Sequence, residues 1–583
     1  MLKAIEEVVS RLEFPSKNAD LMAVMYKFKS LIHLLAILFL VSGLFPNYLL
    51  AQEPLNSSTV ALDPIHQTIA KMTLDQKVGQ LFMIGFSQAS LDPKLKTFLT
   101  KIKPGSFLLF KRNIKSLEQV RELNRELTQL SLENTGVKPL IAVDQEGGFV
   151  SRIPVQPPMP SALAFGQTQS LSLAEEYGQE VGHLIGDLGF SMNLAPVLDL
   201  SNPQEPSFIG VRSFGGNPKD VSNFGYSISK GLQKSKIIPT AKHFPGLGSS
   251  LDDSHSSLVT RITSMDEFLA TDLKPFEKFA ELGPESAVMV SHLSYPVVDP
   301  ANIPALFSEK VVTGLLRKKL AFKGVILTDD LMMQGASQFA NPGDAAVMTL
   351  KAGTDIVMVT WSFRAQMKAF LRVKEAIQKN ELPMSFVDEK IQRILVAKSL
   401  AGLTSNATST PESFSRKLAQ NQDLPRVKLK QIESTVLESN LRAQDQKFET
   451  IKTATRLCIV SPSQHFLQSF KNGTNLKLKY VLMNTISPQM TFEKLLSKNG
   501  CDNSVLSIYG QKTTLLAEGL SSEAKAHVML VNLNAPMSLV DETAYLSVVN
   551  LYFPHASAGQ VLAQHLFHRK PATASYSPRA TSK

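Results

Sequence analysis

The sequence predicts an α/β protein, a (β/α)8 barrel of TIM type followed by a smaller α/β domain. Three observations carry that prediction. Between about residues 66 and 403, eight short β-branched apolar runs alternate with longer stretches whose apolar positions recur every three or four residues. The runs are apolar almost throughout instead of alternating with polar residues, which is how strands buried on both faces of a parallel barrel read. Polar residues gather at the carboxyl ends of these runs, and a barrel sets those ends around one rim. A doubly wound open sheet is the other architecture that the alternation allows.

In order, the strand candidates are VGQLFMIGF (78–86), GSFLLF (105–110), PLIAVDQ (139–145), MNLAPVLDL (192–200), IPTAKHF (238–244), AVMVSHL (287–293), GVILTDD (324–330) and DIVMVTW (355–361). Helices are expected between them, as in SLEQVRELNRELTQLSL and SLAEEYGQEVGHLIGDLG. The polar residues at the strand ends are Asp144, Glu146, Asp199, Lys242, His243, His292, Asp329 and Asp330. Any one of them alone would read as a solvated loop residue; the set reads as a pocket.

A last helix, MSFVDEKIQRILVAKSLAGL, closes the barrel region, and SNATSTPES after it has linker composition. The expected organisation is an N-terminal extension over 1–51, a barrel over 60–404, a linker over 405–426 and a smaller α/β domain over 427–583. That last domain opens with a polar helix, VKLKQIESTVLESNLRAQDQKFETI, and has strand candidates in RLCIVSP, SVLSIYG, HVMLVNL and LSVVNLYF.

The 583 residues are 43% hydrophobic and 19% charged, ordinary globular values that exclude a fibrous or wholly disordered chain. The net charge of +10 is scattered and not gathered into a block that would clamp phosphates, so nucleic acid is not expected as a partner. Two cysteines, Cys458 and Cys501, exclude a disulfide-stapled scaffold and a cysteine-rich zinc cluster, and their spacing says nothing about pairing. Residues 34–45, LLAILFLVSGLF, have the length of a secretory h-region, with Lys27 and Lys29 before them and Pro46 after. Export is expected, with cleavage after Ala51 or with residues 31–50 retained as a membrane anchor. Met25 makes the better start, since MYKFKS then supplies the basic n-region.

The densest local chemistry is KHFPGLGSSLDDSHSSL, residues 242–258. Asp253 and His255 stand two apart on a glycine-led loop, where the carboxylate can accept the imidazole N–H, fix its tautomer and raise the basicity of the other ring nitrogen. That pair would shuttle protons; a Ser/Asp-rich surface turn with a solvated histidine is the bland alternative. Lys242 and His243 end the strand itself and could hold substrate hydroxyls or carbonyls. In GVILTDDLMM, Asp329 ends an apolar run, placed either to attack an electrophilic carbon or to bind magnesium, while Asp330 could cap the following helix. HxxxH and paired cysteines are absent from the sequence, which argues against zinc.

Four motifs in order, AVDQEGG (142–148), GVRSFGG (210–216), KHFPG with DSH, and TDDLMM, resemble family 3 glycoside hydrolases, and KHFPG with DSH resembles the β-N-acetylglucosaminidase branch. The likeness covers roughly residues 66–403. It implies a (β/α)8 barrel that removes terminal N-acetylglucosamine from peptidoglycan fragments or chitooligosaccharides; the expected enzyme uses no cofactor or metal and is a monomer. It also implies roles: Asp329 as nucleophile, His255 as acid/base with Asp253 as its partner, and Asp144, Arg152, Arg212, Lys242 and His243 as sugar-binding residues. A retaining glycosidase needs a nucleophile on one side of the anomeric carbon and a proton donor on the other. An imidazole of ordinary pKa, about 6.5, serves as donor and then acceptor near neutral pH. The region after the barrel loosely resembles the α/β sandwich that follows it in many family members. Two departures stand out: Phe149 replaces an arginine common after the DQEGG glycines, and Leu247, Ser249 and Ser250 replace polar residues of the catalytic loop. A carbohydrate-binding relic, a glycoside phosphorylase and a broader β-glucosidase are the competing functions.

Overall fold

The computed structural model describes residues 62–154, 159–202, 209–247 and 259–403, then helix Leu424–Arg442 and the main elements between 457 and 566. All of them lie in one compact unit, Val60–Lys583. Asp253, His255, the apolar run 34–45 and most of the expected linker lie outside the described residues.

Eight parallel strands make the first sheet: β1 Phe82–Ile84, β2 Ser106–Leu109, β3 Leu140–Val143, β4 Met192–Asn193, β5 Ile238–Phe244, β6 Ala287–Val290, β7 Val325–Thr328 and β8 Val357–Val359. Each pairs with its neighbour in chain order, and β8 also pairs with β1. Between β7 and β8 the ring is completed by the parallel bridge of Leu327 with Ile356 and by the Thr328 N–H, which donates to the Ile356 carbonyl at 3.1 Å. The alternation therefore resolves into a closed barrel, not an open sheet. The reason is visible in burial: β1, β2, β3, β6, β7 and β8 are buried at every position, so neither face is left for solvent.

All eight expected strands occur, most of them shorter than the apolar run that announced them. Val78, Gly79 and Gln80 belong to helix Leu74–Gln80. In MNLAPVLDL only Met192–Asn193 is regular strand, because Pro196 has no N–H to give the ladder; its carbonyl instead accepts from the Lys242 N–H, and the Leu198 N–H donates to the Lys242 carbonyl at 2.7 Å. Apolar runs mark burial, and burial outlasts the strand.

The helices outside the ring start where short polar side chains satisfy free N–H groups. Ser116 accepts from the Gln119 N–H ahead of helix Leu117–Thr135, and Ser170 from the Leu173 N–H ahead of helix Leu171–Asp187. The latter packs closely on helix Pro218–Lys234: a Cβ at Gly178 would lie 2.1 Å from the Ile228 carbonyl oxygen, and one at Gly231 2.0 Å from that of Glu175. Glycine is what lets these backbones touch.

Five more parallel strands form a second sheet: β9 Leu457–Ser461, β10 Lys479–Leu482, β11 Asn503–Ile508, β12 Val528–Asn532 and β13 Ser547–Asn550, in the order β10-β9-β11-β12-β13. The edge strand β10, KYVL, is additional to the four read from sequence. Cys458 on β9 and Cys501, just before β11, form a disulfide with Cα atoms 5.8 Å apart.

Candidate active site

The first wall of the site is the segment after β3. The Gln145 N–H donates to Asn193 Oδ1 and the Asn193 amide donates to the Gln145 carbonyl, both at 3.0 Å, so the ends of β3 and β4 lock together. A short hairpin follows, Gln145–Gly147 against Val150–Ser151. Gly147 turns it with φ +99°, and a Cβ there would stand 2.1 Å from the Pro160 carbonyl oxygen. Only glycine fits, and the consequence is that Asp144 and Glu146 are both directed at the cations of the next loops.

Those cations come from β5 and from the loop after β4. Lys242 Nζ lies 2.8 Å from Asp144 Oδ1 and 2.6 Å from Glu146 Oε1. Arg212, at the end of the turn Gly210–Arg212, clasps Glu146 with Nε at 2.8 Å and Nη2 at 2.9 Å. Arg152 approaches Asp144 at 3.8 Å. Burial alone would neutralise these groups, but mutual attraction overrides it. Desolvation pushes Glu146 up, and Arg212 and Lys242 more than reverse that, holding it far below the ordinary carboxylate range. Desolvation pushes Lys242 down, and Asp144 and Glu146 lift it above its usual value. Arg212 is likewise lifted by Glu146 against desolvation. These three charges stay fixed across working pH, so this wall binds and orients.

The neighbouring His243 is held by Asp199, which is fully buried. Its Nδ1 sits 2.6 Å from Asp199 Oδ2, so the ring proton on that nitrogen is directed at the carboxylate. Asp199 Oδ1 also accepts the Leu247 N–H at 2.8 Å. Leu247, one of the departures in the loop sequence, thus holds its place by backbone while its side chain is buried.

On the other side of the rim, Asp329 follows β7 and is half-buried. Its N–H donates to the Val290 carbonyl at 3.0 Å and its Oδ1 accepts the Asp330 N–H at 2.8 Å, which fixes the carboxylate at the strand end. Asp330 does not cap a helix. The next helix, Gln334–Ser337, starts after Met333 without a side-chain cap, and Asp330 instead accepts the Met332 N–H at 2.9 Å and the Thr360 hydroxyl at the end of β8. Desolvation, with Asp329 adding to it, raises Asp330 to about 6.

Residues 73–397, more than half of the chain, match the family model described as glycosyl hydrolase family 3 N terminal domain. The chain belongs to glycosyl hydrolase family 3. Beta-hexosaminidase A of Pseudoalteromonas piscicida is 30% identical over 375 residues, 57% of this chain and 62% of that protein. The family 3 chain therefore spans about three-fifths of that relative's length. The beta-hexosaminidase of Thioalkalivibrio sulfidiphilus is 36% identical over 287 residues, 48% of this chain and 79% of that one. Among solved structures, a glycoside hydrolase family 3 beta-N-acetylglucosaminidase from Paenibacillus sp. superposes with a TM-score of 0.71 at 26% identity, covering 85% of this chain and 96% of the other.

Within this family 3 barrel, Asp144, Arg152, Arg212, Lys242 and His243 meet in one connected wall and Asp329 stands on the same rim. Asp253 and His255 belong to the loop outside the described residues. Two carboxylates that the sequence placed at strand ends without a role, Glu146 and Asp199, are the ones that hold Arg212, Lys242 and His243 in position. The signal for them was there, an acid at a buried strand end beside a cation-bearing motif. Phe149, on the hairpin, is 45% exposed.

Proposed function

We propose that this family 3 protein is a retaining β-N-acetylhexosaminidase that removes terminal non-reducing N-acetylglucosamine by double displacement. The observation that carries this reading is a fixed-charge sugar-binding wall from the loops after β3, β4 and β5 on the same rim as the anchored carboxylate of Asp329. The hexosaminidase names of the two relatives support it, as does the DSH motif at 253–255. In the first step the Asp329 carboxylate attacks the anomeric carbon while protonated His255 gives its proton to the departing oxygen, so the glycosidic bond breaks as the glycosyl ester forms. In the second, neutral His255 takes a proton from water, which displaces Asp329. Asp144, Arg152, Arg212, Lys242 and His243 hold the sugar through both steps.

Cell-wall muropeptides or chitooligosaccharides are the proposed substrates of a monomeric enzyme exported through the apolar run 34–45, cleaved there or retained as an anchor over 31–50. The deciding assay compares aryl β-glycosides of N-acetylglucosamine and glucose. A kcat/KM at least about tenfold higher for the acetamido sugar is expected, since a site built for an amide rejects the analogue lacking it. Equal rates would favour a broad β-glucosidase, binding without release of the aglycone a relic, and turnover that requires phosphate a phosphorylase. Asp329→Asn should abolish turnover. His255→Ala should slow substrates with poor leaving groups more than activated phenols, and equal losses on both would remove His255 from the acid role.

A further inference from the structure

The sequence contains a single tryptophan, Trp361. It lies two residues past the end of β8 and is 64% exposed, which forgoes the burial that large rings normally gain. The indole is nevertheless firmly backed. The Arg112 guanidinium carbon is 4.2 Å from its ring centroid and 4.1 Å from that of Phe110, and the two rings are 5.6 Å apart. Arg112 is pinned in turn: Nε donates to the Phe86 carbonyl at 3.0 Å and Nη2 to that of Thr360 at 3.5 Å. Backbone after β1, β2 and β8 thereby fixes one aromatic platform. Thr360, the residue before Trp361, donates its hydroxyl to Asp330, whose own N–H holds Asp329.

In a ring of eight strands, β8 stands opposite β4. A pyranose held by Asp144, Arg152, Arg212, Lys242 and His243 is thus gripped from the side of the ring opposite the strand that carries Trp361. We propose that Trp361 is a binding platform for the saccharide on the leaving-group side of the scissile bond, stacking its indole on the C–H face of that pyranose. This rests on the glycosidase reading and adds a second sugar site to it. Stacking of this kind specifies a ring and an orientation while tolerating different substituents, which suits an enzyme that trims varied glycan ends.

Two probes test it, N,N′-diacetylchitobiose, which supplies both rings, and N-acetylglucosamine, which supplies one. In Trp361→Ala the KM for the disaccharide should rise about fivefold to tenfold relative to the inhibition constant of the monosaccharide, and Trp361→Phe should recover most of the loss. Because the chain has one tryptophan, the wild-type emission spectrum is an independent reading: the disaccharide should shift it and saturating monosaccharide should not. Parallel changes in both constants, or disaccharide turnover with unaltered emission, would overturn the platform and leave the glycosidase standing. If folded wild-type protein neither binds nor cleaves either sugar, the glycosidase reading falls and takes the platform with it.

Discussion

Glu146 is a clamp and not a proton carrier: with 5% of its side chain exposed, it meets Arg212 through both oxygens and Lys242 through one. Its folded pKa lies well below the unfolded value, so its contribution to stability is complete above the unfolded pKa, about 4.3, and is lost as pH falls toward the folded one. Glu146→Gln keeps the shape and removes the negative charge that Arg212 and Lys242 share. Urea denaturation at pH 7 should show a loss of about 3–5 kcal/mol, the usual cost of breaking a buried ion pair from one side, together with a higher KM. An unchanged denaturation midpoint would mean that water or rearrangement already compensates these charges. The same residue shows where reading the sequence stops. DQEGG was legible as a strand end carrying acids, because apolar runs and glycines are local signals. That Glu146 rather than Asp144 takes Arg212 was not, since those partners are 66 residues apart and their meeting depends on how the hairpin turns at Gly147.

Among the elements, the helix that closes the barrel, Met384–Leu400, departs furthest from what its sequence implies. As charged residues its two lysines would ordinarily be solvated, although the helical period sets them beside Val387, Ile394 and Leu395. Both are buried instead: Lys390 Nζ donates to the Thr354 carbonyl at 2.8 Å, and Lys398 Nζ to Gln80 Oε1 at 2.8 Å and the Gly105 carbonyl at 3.0 Å. Helical period was enough to find the element. It could not find this, because a lysine stem packs like an apolar side chain and only the surrounding carbonyls decide whether its amine is served inside. Desolvation lowers Lys398 to about 7, whereas an unfolded lysine titrates near 10.4. Between those values the unfolded chain holds more protons than the native one, so this group makes stability rise with pH, by at most about 1.4 kcal/mol per unit. Lys398→Met should flatten the rise of the urea midpoint between about pH 7 and 10 relative to wild type. Parallel profiles would show that Lys398 stays charged in the fold.

For the molecule as a whole, two hydrophobic cores form, and the division between them falls not at the composition break near residue 404 but within one helix, Leu424–Arg442. Ile432 and Val436 enter the barrel's core, while Leu437 and Leu441 enter the core under the second sheet. Each pair is spaced four apart and the second pair follows the first by five residues, so they form separate stripes about 140° apart around the helix. Read along the chain, two half-width stripes amid polar residues look like a solvated helix, which is why its bridging role was hidden. Polar contacts reinforce the seam: Lys428 Nζ is 3.0 Å from Glu180 Oε1, and the Asn440 amide donates to the Ala164 carbonyl at 3.3 Å. If the helix couples the two cores, damage to it should be felt on both sides. Val436 is fully buried, so Val436→Asp sets an unpaired carboxylate into the seam and should cost several kcal/mol, about 3 or more. Gln431, exposed on the same helix, is the matched control, and Gln431→Asp should stay within about 0.5 kcal/mol of wild type. Thermal loss of glycosidase activity reports the barrel, and protease cleavage after reduction of Cys458–Cys501 reports the second sheet. Both should move to lower temperature together in Val436→Asp and in neither control measurement; a shift confined to the second sheet would mean that the barrel holds its fold without the helix.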